Sequence, residues 1–289
     1  MYRSLEEICI EEEKSGKPFW KVIEEDDCKE QGISCEESFE RMRKMYAAMK
    51  SADADYDNEK CSASGLSGKD GYLMQKAREN GTTICGPFIG KVMEKAIKMG
   101  ESNACMKRIV AAPTAGSCGV IPAVFLTVEE EHSIPEDEMV KALYVAAGIG
   151  GVIASRAFLA GAEGGCQAEI GAASAMAAGG VAYLMHGNGR RIVNAAALSL
   201  KSLLGLVCDP VAGLVEVPCI KRNVMGAVNA LTGADMSMAG IDSRVPPDEV
   251  IDAMRSVGKS IPEALRETGE GGLAATPSAV KITNSLGSL

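Results

Sequence analysis

Small side chains constrain the possible fold of this chain more than any other feature. Glycine and alanine dominate long segments such as AGAEGGCQAEIGAASAMAAGG and MGAVNALTGADMSMAG, while aromatic residues make up only 4% of the chain. Such segments let backbones approach closely, which favours packed helices over an aromatic-rich β-sandwich. Alternating β-branched runs are scarce and no βαβ rhythm is visible. The sequence therefore predicts an all-α fold built around a compact Gly/Ala-rich helical domain.

The first sixty residues differ from the rest because they are polar and acidic. Ser34 is predicted to be a helix N-cap, since Glu36 and Glu37 follow in the first turn, where the helix dipole favours acidic side chains. We therefore predict an acidic helical N-terminal region over residues 1–60 and a catalytic region over residues 61–289. One continuous domain is the alternative, because 289 residues suit either arrangement and no flexible linker marks a boundary.

The charge of the chain limits its partners. A formal net charge of −9 argues against nucleic acid and anionic lipid. The N-terminal sequence is charged from the start and lacks the apolar core of a secretory signal. The most apolar run, LYVAAGIGGVIASRAFLAGA, is interrupted by Arg156 and is predicted to be a buried helix rather than a membrane span. We therefore expect a cytoplasmic protein with no nucleic acid or membrane partner.

Ten cysteines in a chain without signs of secretion indicate core fillers, metal ligands or catalytic groups rather than disulfides. Backbone N–H groups in loops can donate to a thiolate or a bridging sulfide, as an iron–sulfur cluster requires. The spacing contains no CxxC pair and differs from the bacterial ferredoxin pattern, so spacing alone leaves buried structural thiols as the alternative. Four cysteines lie in turn-like contexts rich in Gly, Ala or Pro: Cys118, Cys166, Cys208 and Cys219.

Four motifs give the chain a resemblance to a known family. CDPVAGLVEVPCIKRN from Cys208 to Asn223, GAEGGCQAEIGAASAMAA around Cys166 and APTAGSCGVIPAV around Cys118 resemble the signature of the bacterial iron–sulfur L-serine dehydratases. SGLSGKDG, which begins at Ser64, is similar to the Ser/Gly substrate loop of that family. The motifs occur in the family's order, and the acidic N-terminal stretch resembles the two-subunit type. The resemblance therefore covers essentially the whole chain.

The resemblance implies a cofactor and a reaction. A [4Fe–4S] cluster would be held by Cys166, Cys208 and Cys219, with one iron left free of protein ligands. The enzyme would be a lyase that converts L-serine to pyruvate and ammonia, with the open iron acting as a Lewis acid for the departing hydroxyl. Cys208 and Cys219 would flank a Pro/Gly turn because both reach the same cluster. Cys118 is expected to be a bystander, with temporary ligation of the cluster as the alternative.

Two Ser/Gly-rich loops offer donors for the carboxylate of the substrate. Both resemble loops at a helix N-terminus, where free backbone N–H groups can hold an anion. The first loop departs from the family's pattern at Lys69, where the family commonly carries glycine. The predicted substrate-binding residues are Ser64, Gly65, Ser67, Thr114, Gly116 and Ser117.

No residue is assigned as the catalytic base. His132 is predicted to lie in a solvated loop and His186 in a Gly-rich turn, and neither matches a motif of the family. Glu163 and Glu169 flank Cys166 and would suit acid or base chemistry if they are buried there. Helix capping or hydrogen bonding to loop amides is the alternative for both carboxylates.

The resemblance also implies a protein partner. Single-chain members of the family join the catalytic part to a regulatory-like domain and end in a cysteine-containing tail, whereas no cysteine follows Cys219 here. We therefore expect an alpha subunit that acts on L-serine together with a separate beta subunit, in an oligomer. The alternatives are an L-cysteine desulfidase of the same fold family, a non-catalytic iron–sulfur redox protein, and a helical scaffold with incidental thiols.

Overall fold

The computed structural model describes residues 2–287, and these residues form helices and loops without a β-strand. Met1, Ser288 and Leu289 lie outside the described residues, the last two being the end of the predicted catalytic region. The all-α prediction is confirmed. The helices are α1 (Leu5–Ser15), α2 (Phe19–Gln31), α3 (Cys35–Ala54), α4 (Asp70–Glu79), α5 (Gly86–Ala104), α6 (Val120–His132), α7 (Glu136–Arg156), α8 (Gly161–Gly164), α9 (Ala172–Leu184), α10 (Gly189–Lys201), α11 (Cys219–Met238), α12 (Pro247–Ser260) and α13 (Pro277–Leu286).

Short turns of other helix types lie between these elements and carry several residues of the predicted site. An isolated β-bridge joins Cys208 to Arg266. The 3₁₀ turns are Ala115–Ser117, Val211–Gly213, Glu263–Leu265 and Gly272–Ala275, and a π-helical turn spans Gln167–Gly171.

Helix α9 lies at the centre of the fold because its sequence is small or apolar on nearly every side. Every residue from Ala172 to Ala182 is buried, and α6, α7, α10 and α11 surround the helix. A Cβ atom added at Gly179 would lie 2.1 Å from the Ile149 Cδ1 atom, and one added at Gly180 would lie 2.3 Å from the Phe125 Cζ atom. Protein interiors are packed too densely to absorb such contacts, so glycine sets the spacing of α9 from α6 and α7.

Helix α7 contains the first part of the apolar run and ends at Arg156, so the predicted single helix stops there. By length and composition alone it is apolar enough to cross a membrane, but 61% of that apolar window is buried inside the fold. The core helices of globular proteins have the same property, so α7 is weak support for a membrane span.

The acidic N-terminal region packs onto the rest of the molecule through a few apolar residues. The predicted N-cap Ser34 is confirmed, because its hydroxyl accepts a hydrogen bond of 3.1 Å from the Glu37 backbone N–H. Leu5, Phe19 and Tyr46 are buried in the same hydrophobic cluster as the residues of α9. The division into residues 1–60 and residues 61–289 stays a prediction.

Candidate active site

The three predicted cluster ligands lie in three separate segments and are all buried. Cys166 directly precedes the π-helical turn, Cys208 lies in the connection after α10, and Cys219 is the first residue of α11. Their exposed fractions are 3%, 3% and 8%. Helix α11 begins directly after Pro218, because proline is tolerated at the start of a helix but not in its interior. Pro218, at the end of the Pro/Gly turn, therefore sets the start of α11, where Cys219 is the first residue.

Electrostatic interactions indicate that the three thiols share one neighbourhood. Burial raises the pKa of Cys166 and of Cys219 to about 12, and it also raises the pKa of Cys208. After burial, the charge of Cys219 raises the pKa of Cys166, that of Cys166 raises the pKa of Cys208, and that of Cys208 raises the pKa of Cys219. Such interactions weaken with distance. The fold thus brings the three predicted ligands together from distant parts of the sequence.

The donor set at this place consists of three buried thiols. Among residues 2–287, no three His, Cys, Asp or Glu side chains stand close enough to hold one ion. A tetrahedral ion with metal–sulfur bonds of about 2.3 Å needs its ligands within about 4 Å of one another. In an iron–sulfur cluster each thiolate binds a different iron, so the thiolates stand further apart. Three buried thiols are the soft donors that an iron–sulfur cluster takes, so the chemistry of these residues fits such a group.

Arg222 is a cation that acts on all three thiols. Its charge lowers the pKa of each thiol, against the larger effect of burial. The Nη2 atom forms an ion pair of 2.8 Å with the Asp209 Oδ1 atom, which holds the guanidinium in place. A fixed guanidinium stabilises negative charge on sulfur. Sequence analysis gave Arg222 no role, although its position one turn after Cys219 on α11 was a usable signal.

Glu169 provides a carboxylate near the three thiols. Its Oε1 atom accepts a hydrogen bond of 2.7 Å from the Thr114 hydroxyl. Burial raises the pKa of Glu169, the hydrogen bond from Thr114 lowers it, and the nearby charge of Glu267 raises it further. The charge of Glu169 also raises the pKa of all three thiols. Glu163, the other carboxylate that flanks Cys166, is exposed instead.

Two glycines allow the acidic and thiol groups to approach each other. A Cβ atom at Gly161 would lie 2.9 Å from the Glu169 Oε2 atom, 3.0 Å from the Cys208 sulfur and 3.3 Å from the Glu267 Oε2 atom. A Cβ atom at Gly116 would lie 2.8 Å from the Glu169 Oε1 atom. Any larger residue at either glycine would push this carboxylate away. Glu169, Glu267 and Cys208 therefore meet around Gly161.

The second predicted substrate loop, PTAGS, is tied to the helix that carries Cys219. The Asn223 amide donates to the carbonyl oxygens of Gly116, at 2.8 Å, and of Cys219, at 3.0 Å. The Asn223 Oδ1 atom accepts a hydrogen bond of 2.8 Å from the Gly119 backbone N–H. Ser117 is fully buried and its hydroxyl caps the loop at Thr114. Asn223 thus holds the PTAGS loop next to the start of α11, where Cys219 lies.

The first predicted substrate loop, SGLSG, is tied to the turn between Cys208 and Cys219. The Ser64 and Ser62 hydroxyls donate to the two carboxylate oxygens of Glu216, at 2.8 Å and 2.7 Å. Gly65 adopts a left-handed backbone with φ of 73° and shapes the turn. Ser67 is only 4% exposed, and its hydroxyl has no hydrogen-bond partner within the part of the chain that the structure describes. The Ser67 hydroxyl is therefore buried without a partner among the described residues, whereas the Ser64 hydroxyl holds the loop.

Glu101 holds the other end of this loop. Its carboxylate is 1% exposed and accepts backbone hydrogen bonds from Gly68, Asp70 and Gly71 at 2.9 to 3.1 Å. The Tyr56 hydroxyl donates a fourth hydrogen bond of 2.6 Å. A buried carboxylate at the first turn of α4 satisfies the N–H groups that the helix leaves unpaired and complements its dipole.

Lys69 has a backbone conformation that is unusual for a residue other than glycine. Its backbone is left-handed, with φ of 72°, and it caps the N-terminus of α4. A left-handed backbone costs a residue other than glycine about 1–2 kcal/mol. The Glu101 hydrogen bonds on either side hold the backbone in this conformation.

Replacing Glu101 with glutamine is therefore expected to loosen the Ser/Gly loop. Glutamine leaves at least one buried N–H group facing an amide, and hydrogen bonds to a charged acceptor contribute about 1.5–3 kcal/mol each. We expect Glu101→Gln to lower the free energy of unfolding in urea by about 2 kcal/mol and to speed tryptic cleavage after Lys60 and Lys69. Glu79→Gln, at an exposed carboxylate of α4, is the matched control. Equal cleavage rates for the two variants would contradict this role for Glu101.

Other residues singled out from the sequence lie elsewhere. Cys118 is fully buried, its sulfur contacts the Met99 carbonyl oxygen at 3.8 Å, and burial is what raises its pKa. His132 stands at the end of α6, with its ring 6.3 Å from that of Phe88. His132 and His186 line the same cleft, whose lining includes neither Cys166 nor the other two predicted ligands.

Known proteins resemble this chain over most of its length. The family model described as "Serine dehydratase alpha chain" matches residues 14–274. A protein of Bacillus subtilis named "Probable L-serine dehydratase, alpha chain" is 45% identical over 251 residues, which cover 87% of this chain and 84% of that protein. One of the same name from Latilactobacillus sakei is 50% identical over 66% of this chain and 92% of that protein. The "L-serine dehydratase, alpha chain" of Peptoniphilus asaccharolyticus is 47% identical over 70% of each chain.

Proposed function

Because the chain belongs to the serine dehydratase alpha chain family, we propose that it acts on L-serine and releases pyruvate and ammonia. The protein is an enzyme of the lyase class and an alpha subunit, so a separate beta subunit completes the enzyme. We expect the two subunits to work as a cytoplasmic oligomer. The acidic net charge of −9 supports a small-molecule substrate rather than a nucleic acid.

We further propose that Cys166, Cys208 and Cys219 hold a [4Fe–4S] cluster. The support for this proposal is that three thiols from separate segments are buried and that each raises the pKa of another, as neighbouring groups do. When bound, a cluster with one iron free of protein ligands supplies a Lewis acid for the departing hydroxyl oxygen. Arg222 supports the site by offsetting the charge of three thiolates within a buried setting.

The two loops are proposed to orient the substrate. The Ser67 hydroxyl, which is buried and without a partner among the described residues, is the donor best placed to bind the serine carboxylate. Ser64 and Gly65 shape that loop, and Thr114, Gly116 and Ser117 shape the loop on the other side of Asn223. Loops fixed by buried hydrogen bonds lower the entropic cost of placing the reacting atoms.

Glu169 is the proposed acceptor of the α-proton. Its carboxylate lies against Gly116 and Gly161, beside the Cys208 sulfur, and the Thr114 hydroxyl fixes its orientation. A carboxylate held in this way can accept a proton from carbon and deliver it to the departing group. Both glutamates flank Cys166 in the sequence, but Glu169 lies beside the Cys208 sulfur whereas Glu163 is exposed.

The test of the proposed function is an anaerobic assay of the complete enzyme. The alpha chain is combined with its beta chain, loaded with iron and sulfide, and supplied with L-serine or L-cysteine. We expect pyruvate from L-serine, and none from a sample without iron and sulfide. A fully loaded complex that yields no pyruvate would overturn the proposal. Sulfide from L-cysteine alone would reassign the enzyme as a desulfidase.

A further inference from the structure

Two thiols far from the proposed active site in sequence are in direct contact with each other. Cys28 lies near the end of α2 and Cys35 is the first residue of α3. Their sulfur atoms are 2.8 Å apart. A disulfide bond has a sulfur–sulfur distance of about 2.05 Å, so a movement of less than about 1 Å would join the two.

The surrounding structure holds the two helix ends in this arrangement. Gly32 ends α2 in a left-handed conformation, and its backbone N–H bonds to the Cys28 carbonyl oxygen. The Ile33 backbone N–H reaches the same oxygen at 3.2 Å. On the neighbouring turn of α3 the Ser38 hydroxyl donates to the Asp27 carboxylate at 2.6 Å, which ties α3 directly to α2. The contact of the thiols is therefore built into the turn.

The two thiols differ in accessibility. Cys28 is buried, whereas Cys35 is partly exposed. Burial and, after it, the contact with Cys35 together raise the pKa of Cys28 to about 12. An oxidant from solvent would therefore meet Cys35 first, and Cys28 would react second because it is already in place.

We propose that Cys28 and Cys35 form a modification site, a dithiol that small organic disulfides such as oxidised glutathione convert to an intramolecular disulfide. The Cys35 thiolate attacks one sulfur of oxidised glutathione, forms a mixed disulfide and releases one glutathione thiolate. Cys28 gives up its proton to solvent and attacks the Cys35 sulfur, which releases the second glutathione. Two protein thiols are oxidised and one glutathione disulfide is reduced to two thiols. The proposal is independent of the proposed function, because it uses none of the three cluster thiols.

Peptide mapping of the complete chain tests this site. Trypsin cleaves after Lys21, Lys29 and Arg41, so Cys28 and Cys35 fall in separate peptides, residues 22–29 and residues 30–41. The folded protein is treated with oxidised glutathione, its remaining thiols are alkylated, and the digest is analysed by mass spectrometry. We expect a disulfide to join the two peptides, with a mass two hydrogen atoms below the sum of the two peptide masses. A reductant should separate them again.

Matched variants make the result specific. Cys85→Ser, at an exposed thiol before α5, should leave the joined peptides unchanged, whereas Cys35→Ser should abolish them. The wild-type disulfide should also raise the thermal midpoint of unfolding, and reduction should reverse the rise. Recovery of the two wild-type peptides as separate, alkylated species would overturn the proposal. A stable glutathione adduct on Cys35 would overturn it equally.

Discussion

Serine in place of Cys166, Cys208 or Cys219 is expected to remove bound iron and sulfide from the reconstituted enzyme and to abolish pyruvate formation. Iron–sulfur clusters are held by thiolates, and a serine hydroxyl is a poor replacement because it stays protonated and is a harder donor. Loss of a residue that only supports a metal ligand costs about 10- to 100-fold. We therefore expect each ligand substitution to lower kcat by more than about 100-fold.

A control variant separates this effect from a general need for thiols. Cys85→Ser removes an exposed thiol and should retain the iron content and kcat of the wild-type enzyme. Far-UV circular dichroism of all variants before reconstitution checks that the helices remain. Wild-type iron content and activity in Cys208→Ser would contradict the assignment of the cluster ligands.

Glutamine in place of Glu169 should lower kcat by about 10²- to 10⁴-fold, the usual contribution of a group that transfers a proton. Glutamine can still accept the hydrogen bond from the Thr114 hydroxyl, so the local structure should be preserved. Since the carboxylate lies beside the thiols without being one of the proposed ligands, the iron content should not change. Steady-state kinetics and iron analysis on the same preparation measure both quantities.

Glu163→Gln is the matched control for this prediction. Glu163 also flanks Cys166, but it is exposed, and the variant should keep the wild-type kcat. If Glu169→Gln lost iron in proportion to its activity, Glu169 would support the cluster site instead of transferring a proton. A wild-type kcat in Glu169→Gln would exclude both roles.

The sequence predicted the features that local patterns determine. Segments dominated by glycine and alanine predicted packed helices, and α9 has this structure because Gly179 and Gly180 allow close contact with Ile149 and Phe125. Ser34 was recognised as an N-cap because the motif lies within four residues. Periodicity and capping act over one or two turns of helix, so a single sequence is sufficient to reveal them.

The residues that organise the site could not be identified in this way. Glu101 and Glu216 are acidic residues without a distinctive local pattern, and their importance comes from the N–H and hydroxyl groups that the fold brings to them. Asn223 stood inside a recognised motif, yet the Gly116 carbonyl oxygen to which it donates lies on another segment. Hydrogen bonds between residues 30 or more positions apart depend on the tertiary fold and leave no periodic signal.

Lys69 illustrates the remaining difficulty. The sequence departs from the family's pattern at this position, but the backbone there has the left-handed conformation that glycine adopts freely. The compensating contacts come from Glu101, which lies on α5. A local substitution can therefore leave the conformation intact when distant residues hold it.

The most direct test of the central claim is Mössbauer spectroscopy of the complex of both subunits, loaded anaerobically with isotopically enriched iron and recorded with and without L-serine. Three protein thiolates around a four-iron cluster predict one iron that differs from the other three and whose signal shifts when L-serine is added. Four irons that are equivalent and unaffected by L-serine would contradict an open iron at Cys166, Cys208 and Cys219, as would the absence of a four-iron cluster.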